Sequence, residues 1–77
     1  MTVTVYSLPN CVQCDTTKRV MDQMGIEYET VDLSQDVEAA TMVVGLGYKQ
    51  APVVITSKKH WSGFKLDNIS ELKYLAE

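Results

Sequence analysis

The 77-residue chain has few of the residues that mark several common classes of protein. It contains one histidine, two cysteines and seven lysine or arginine residues, against ten acidic residues, so its formal net charge is −3. A surface that binds nucleic acid usually carries a cluster of basic residues, whereas the basic residues here are scattered, with only the pairs Lys18-Arg19 and Lys58-Lys59 adjacent. The composition therefore argues against DNA and RNA as partners.

Long apolar runs are also missing. No stretch approaches the roughly 20 apolar residues that span a bilayer, and the N-terminus shows an alternating pattern without the charged region of a signal peptide. Few prolines and glycines and an apolar fraction of 45% are typical of a folded domain and not of a disordered chain. We therefore expect residues 1–77 to form one domain, a cytoplasmic monomer that does not bind membranes.

The two cysteines are separated by two residues, as Cys11-Val12-Gln13-Cys14. They follow the first strand-like segment and begin the first helical pattern, a setting in which Cys-x-x-Cys is typical of a thioredoxin-like redox motif. Residues three apart share one face of a helix, which suits the Cα separation of roughly 4.4 to 6.8 Å that a disulfide needs. Because cytoplasmic thiols are held reduced, the pattern predicts a catalytic dithiol. A structural disulfide and two unrelated buried thiols are the alternatives.

The two cysteines are expected to differ in reactivity. Cys11 would lie at the start of the helix, where unpaired N–H groups and the positive end of the helix dipole stabilise negative charge. That position lowers the pKa of a thiol. Cys14, one turn inside the helix, is expected to be less exposed and better placed to resolve a mixed disulfide than to start one.

The patterning predicts an α/β fold of order βαβ-α-ββ-α. Strands are indicated by alternating or β-branched residues, and helices by apolar residues at three- and four-residue spacing with glycine stops. The expected elements are a strand over 2–6, a helix over 12–24, a strand over 27–32, a helix from Ser34 or Asp36 to Leu46, strands over 53–55 and 60–61, a loop over 62–64, and a helix from Asp67. The first two strands should be parallel because a helix joins them. We expect a four-stranded mixed sheet with helices on both faces and Cys11 at its ligand-binding edge.

Three features of the sequence together resemble those of a known superfamily. The order of elements, Cys-x-x-Cys at the first helix and Ala51-Pro52 directly before the third strand resemble the thioredoxin superfamily, and the short form without an additional N-terminal strand resembles glutaredoxins. The sequence His-Trp-Ser-Gly-Phe-Lys at 60–65 makes the chain similar to the NrdH-redoxins, small dithiol proteins that deliver electrons to class Ib ribonucleotide reductase. Leu66 stands where that family usually has a proline.

The resemblance implies a thioredoxin fold and a role for each site residue. Cys11 would be the attacking thiol and Cys14 the resolving thiol, and Pro52 would match the cis-proline that faces the dithiol. A cis bond before proline costs only about 0.5 to 1 kcal/mol, and the backbone at Ala51 could pair with an extended peptide. The implied partner-binding residues are Ala51, Pro52, Trp61, Ser62, Gly63 and Phe64.

The resemblance also implies partners. Thioredoxin reductase would return electrons to the protein, and ribonucleotide reductase would receive them. No metal or other cofactor is expected beyond the redox-active Cys11–Cys14 disulfide.

Several of these residues have simpler structural interpretations. Pro52 could begin a strand, and Trp61 could fill the core because aromatic side chains bury large areas. Lys18 follows Cys14 by four residues and could stabilise a thiolate, but an exposed lysine on a helix is common. His60 is expected on the surface of a strand, without a role.

Three functions stay open at this point. The first is the dithiol electron carrier. The second is a glutathione-dependent glutaredoxin, although paired glycines and an acidic pair that commonly grip glutathione are replaced by Trp-Ser-Gly-Phe at 61–64. The third is a zinc or iron–sulfur module built from Cys11, Cys14 and His60, which lacks a fourth protein ligand and could be completed only by a dimer.

Overall fold

The computed structural model describes residues 2–75 and contains the predicted elements in the predicted order. The strands and helices are β1 (Val3–Ser7), α1 (Val12–Gln23), β2 (Glu29–Asp32), α2 (Val37–Gly45), β3 (Val53–Thr56), β4 (His60–Ser62) and α3 (Leu66–Leu75). The strands lie in the order β2-β1-β3-β4, with β1 and β2 parallel and the other two pairs antiparallel. The prediction of a mixed four-stranded sheet is confirmed.

One face of the sheet carries the main core. Alternation in β1 directs Val3 and Val5 to this face, and Val5 pairs with Val54, which in turn pairs with Trp61. These side chains pack with others from α1 and α3, namely Met21, Ile69 and Leu72, all fully buried. Burial of each large aliphatic side chain contributes about 1.5 to 3 kcal/mol, so α1 and α3 are held on this face.

The opposite face of the sheet is covered by α2 and the residues that follow it. Val53 points away from Val54 along β3 and is fully buried, as is nearly all of Val43 of α2. Tyr48, just after α2, places its Oη 2.6 Å from Nδ1 of His60, which alternates with the buried Trp61 along β4. Helices therefore cover both faces of the sheet, as predicted.

Every predicted element has a boundary that is wrong by one or two residues. β1 covers 3–7 instead of 2–6, α1 and α2 end one residue earlier than predicted, and β3 ends one residue later. Three further differences have a clear cause. The second strand begins at Glu29 instead of residue 27, because the pairing with β1 starts at Glu29. Ser62 belongs to β4 and not to the following loop, since it pairs with Val53. The last helix begins at Leu66, which places Asp67 in its first turn, where negative charge interacts favourably with the helix dipole.

The start of α2 decides between the two predicted caps. Asp36 is the N-cap, and its carboxylate accepts a hydrogen bond from the backbone N–H of Ala39 at 2.9 Å. Ser34 donates to Asp32 instead, at 2.6 Å.

At the end of α1, Gly25 has a φ of +73°, a conformation that glycine adopts at little cost. Among the helices of residues 2–75, none has the length and apolar character to cross a bilayer.

Candidate dithiol site

Cys11 and Cys14 are joined by a disulfide at the start of α1, with their Cα atoms 5.2 Å apart. Cys11 is the N-cap residue, in extended conformation, and its Sγ accepts a hydrogen bond from the backbone N–H of Cys14 at 3.2 Å. Cys11 is partly exposed, whereas Cys14 is only 1% exposed. The predicted asymmetry between an accessible first cysteine and a buried second cysteine is present in the fold.

A tight turn carries the chain from β1 to the cysteines. Asn10 adopts a φ of +58°, and asparagine is one of the few residues that tolerate this left-handed region. Because the turn spans only residues 8–10 between β1 and Cys11, the disulfide lies close to the carboxyl end of β1. That is the end of a sheet at which α/β proteins commonly bind ligands.

The segment before β3 reaches the disulfide from the side. The peptide bond between Ala51 and Pro52 is cis, which is the geometry that the resemblance implies for Pro52. Cys11 Sγ lies 3.8 Å from the carbonyl oxygen of Ala51. The backbone that precedes the proline is therefore in direct contact with the more exposed sulfur.

Residues 62–64, which we call the recognition segment, lie against this stretch of chain. The hydroxyl of Ser62 donates to the carbonyl of Gln50 at 2.8 Å, and the backbone N–H of Gly63 donates to the carbonyl of Pro52, also at 2.8 Å. Two successive residues of the recognition segment are thus bound to the segment that contains the cis-proline.

The third residue of the recognition segment is bound to the cysteine turn itself. The backbone N–H of Phe64 donates to Oε1 of Gln13 at 3.1 Å, across 51 positions of sequence. Gln13 lies between the two cysteines. Three motifs that are far apart in sequence are therefore joined in one site by directed hydrogen bonds.

The sequence is that of a known family. The glutaredoxin family model matches residues 3–61. The glutaredoxin-like protein NrdH of Salmonella typhimurium is 42% identical over 72 residues, which are 94% of this chain and 89% of that protein. The chain belongs to the NrdH group of glutaredoxin-like proteins.

Solved structures agree with the NrdH assignment. The structure of NrdH-redoxin from Escherichia coli matches with a TM-score of 0.92 and 40% identity, and the match covers 94% of this chain and 95% of that one. A buckwheat glutaredoxin in complex with glutathione matches with a TM-score of 0.69 and 26% identity, over 96% of this chain and 68% of that one. The thioredoxin fold is confirmed, and this NrdH-type chain is a thiol–disulfide oxidoreductase with Cys11 and Cys14 as its redox-active pair.

Trp61 of this NrdH-type protein is buried beneath the recognition segment. It is 4% exposed and belongs to the core, with Nζ of Lys59 5.4 Å from its ring centroid. Phe64 is half-buried and packs against the same core. The partner-binding role of Trp61 stays a prediction. Because Trp61 is buried, such a role would consist in supporting the recognition segment and not in contacting a partner directly.

Two polar side chains in the first half of α1 of this NrdH-type protein make contacts that the sequence pattern does not predict. Lys18 is partly buried, and its Nζ donates to the hydroxyl of Ser7 at 3.1 Å, so this side chain also binds β1 from its position on the helix surface. The sequence pattern predicts no role for Gln13, although its side chain accepts a hydrogen bond from Phe64. The one available signal was its position between the cysteines, because the inner pair of a Cys-x-x-Cys motif lies at the edge of the site.

The metal-site alternative finds no support in the described geometry. Within residues 2–75, no group of three or more histidine, cysteine and carboxylate side chains is arranged to hold a metal ion. His60 is exposed and contacts Tyr48, as expected for a surface residue of β4. The structure does not bring it together with the cysteine pair.

Proposed function

We propose that this NrdH-type chain is a cytoplasmic, monomeric dithiol electron carrier that reduces protein disulfides. The observation that carries the proposal is the unequal placement of the two sulfurs. Cys11 is the partly exposed N-cap of α1 and its Sγ accepts a backbone N–H, whereas Cys14 is buried one turn further on. In the reduced protein, the N–H groups and helix dipole at this end stabilise a thiolate on Cys11.

The electron transfer then follows ordinary thiol–disulfide exchange. The Cys11 thiolate attacks one sulfur of the target disulfide, forms a mixed disulfide and expels the other target sulfur as a thiolate. The thiol of Cys14 loses its proton and attacks Cys11 Sγ, which releases the second target sulfur. Two electrons pass to the target, and the Cys11–Cys14 disulfide remains. The step requires neither a metal nor a nucleotide at this site.

The target is proposed to bind as an extended peptide. Ala51 offers its backbone next to Cys11 Sγ, and strand-like pairing with such a backbone is a common mode of peptide recognition. Val12 is 79% exposed and Leu8 is 43% exposed, and both adjoin the cysteine turn in sequence. These exposed apolar side chains, together with the partly exposed Gly63 and Phe64, suit a protein partner better than a small charged thiol.

For the partners we propose thioredoxin reductase as electron source and class Ib ribonucleotide reductase as target. Two observations support this choice. The solved NrdH-redoxin from Escherichia coli is described by its thioredoxin-like activity profile. The present chain shares 40% identity with it over 94% of its length, and it carries the Trp-Ser-Gly-Phe sequence at 61–64 on which the family resemblance depends.

A glutathione-dependent glutaredoxin is the second candidate. The family match over residues 3–61 and the similarity to the buckwheat glutaredoxin–glutathione complex favour it. However, the segment over 61–64 lacks the paired glycines that are expected to hold glutathione in glutaredoxins. Trp61 of that segment is buried in the core.

The deciding experiment compares two electron sources at matched protein concentration. NADPH consumption is measured with an oxidised peptide disulfide as acceptor, once with thioredoxin reductase and once with glutathione plus glutathione reductase. The C11S variant provides the blank for both. We expect efficient turnover with thioredoxin reductase. Turnover with glutathione and none with thioredoxin reductase would replace the proposal by the glutaredoxin function.

A further inference from the structure

Gln13 is the residue through which the recognition segment contacts the cysteine turn. Within residues 2–75, the bond from the Phe64 N–H to Gln13 Oε1 is the hydrogen bond that joins residues 62–64 to residues 11–14. We propose that Gln13 is a positioning residue, which holds the recognition segment beside the disulfide and thereby sets the affinity for protein disulfides. This inference deepens the proposed function and rests on it.

The first step of the reasoning is the way in which the recognition segment is held. Ser62 and Gly63 are hydrogen-bonded to the carbonyls of Gln50 and Pro52, so this end of the segment is attached to the stretch that contains the cis-proline. Phe64 is the next residue, and among the described residues 2–75 its N–H is bound to Gln13 alone. Without Gln13, the segment would be tethered to the cis-proline side and would lose its attachment to the cysteine turn.

The second step is the close packing of the amide on the segment. Gly63 has a φ of +85°, and a Cβ built at this position would lie 3.4 Å from Gln13 Oε1. The side-chain carbonyl of Gln13 therefore lies on the side of Gly63 where other residues carry a Cβ, while it accepts a hydrogen bond from the N–H of Phe64. Both the glycine and the glutamine are needed for this arrangement, since a side chain at position 63 would require strained backbone.

The third step separates positioning from chemistry. The polar contacts of Cys11 Sγ are the N–H of Cys14 and the carbonyl of Ala51, and Gln13 contributes to neither. Removal of the Gln13 amide therefore leaves the surroundings of the attacking sulfur in place. Its loss should weaken the binding of a target that lies on the recognition segment and should spare the exchange reaction with a small disulfide.

The experiment uses pre-reduced protein in single turnovers, so that no reductase takes part. Wild type and variants are mixed with increasing oxidised insulin, or with the small disulfide 5,5′-dithiobis(2-nitrobenzoic acid), and each series gives a half-saturating concentration and a limiting rate. Q13M removes the acceptor while it keeps a side chain of similar length, and Q13A does so by truncation. Q13E keeps an acceptor oxygen. The matched control is Q23M, because Gln23 is an exposed glutamine of the same helix.

We expect Q13M and Q13A to raise the half-saturating insulin concentration about fivefold, the size expected for one lost hydrogen bond. The limiting rate, the reaction with the small disulfide and the reduction potential should be unchanged. Q13E should keep the half-saturating insulin concentration of wild type but lower the limiting rate with both disulfides, because its carboxylate lies between the two cysteines and disfavours the Cys11 thiolate. Q23M should resemble wild type. Equal losses of Q13M and Q13A with both substrates, no change with either substrate, or failure of Q13E to restore binding would overturn the proposal. Wild-type protein that cannot reduce insulin at all would instead refute the proposed function.

Discussion

The backbone N–H of Cys14 donates a hydrogen bond to Sγ of Cys11 across 3.2 Å, so one cysteine of the redox pair caps the helix that contains the other. The cap is usually a serine, threonine, aspartate or asparagine oxygen. A sulfur in this position both caps the helix and takes part in the thiol–disulfide exchange, so the two thiols should differ in titration and in reactivity.

The two thiols of the reduced protein should titrate differently. Stabilisation by the helix terminus should bring the pKa of Cys11 below the free-cysteine value of about 8.5, whereas Cys14 should not be lowered in this way. Alkylation rates at each cysteine, followed by mass spectrometry over a pH series, measure the difference. Equal rates at both cysteines across neutral pH would contradict the assignment.

Replacing each cysteine separately should distinguish attack from resolution. The C14S variant should accumulate a stable mixed disulfide with a target peptide, because Cys11 attacks and no second thiol releases it. The C11S variant should form little adduct, since Cys14 is buried. Non-reducing mass spectrometry quantifies the adducts. If C11S traps the peptide as well as C14S does, the two roles are reversed.

The T17V substitution should stabilise the fold. Thr17 is fully buried in α1, and its hydroxyl has no hydrogen-bond partner among residues 2–75, a situation that costs about 1 to 3 kcal/mol. Valine has nearly the same shape, so we expect the free energy of unfolding to rise by about 1 kcal/mol in urea titrations. T16V is the control, because Thr16 donates to the Val12 carbonyl at 2.9 Å, and this variant should show no gain.

Lys59 should contribute more to stability than its neighbour Lys58. Its Nζ donates to Asn68 at 3.0 Å and to Glu71 at 2.8 Å, which joins the turn before β4 to α3. We expect K59M to lower the free energy of unfolding by about 0.5 to 1 kcal/mol, since partly exposed ion pairs are weak. K58M should change it little. Thermal or urea unfolding of the two variants provides the comparison, and equal effects would refute this assignment.

Asp32 should stabilise the protein only while its carboxylate is ionised. Hydrogen bonds from the Ser34 side chain and backbone lower the pKa of Asp32 below its ordinary value of 3.8, with Lys18 as a lesser cause. A pKa lowered by folding adds stability that is fully present above the unfolded value and is lost as pH falls through the folded value. D32A should therefore be less stable than wild type at pH 7, and the difference should shrink as the pH falls well below 3.8. An equal difference at both pH values would refute this.

Much of the fold was predictable because its signals are local. Alternation around Val3 and Val5 identified β1, and the glycine at position 25 identified the end of α1. Such patterns depend on the period of one element and on the backbone freedom of one residue. The boundary of β4 was not predictable in this way, because Ser62 joins the strand through its pairing with Val53.

Local patterns of sequence are enough to predict a small α/β protein with a Cys-x-x-Cys pair at the start of its first helix, since spacing and periodicity are properties of neighbouring residues. The residues that surround the cysteine pair, in contrast, are known only from the packed fold. The bond between Phe64 and Gln13 spans 51 positions, and that between Lys18 and Ser7 joins a helix to a strand. Contacts of this kind form because the packed sheet and helices bring distant loops within about 3 Å, the hydrogen-bonding distance, and no local pattern of sequence encodes that approach.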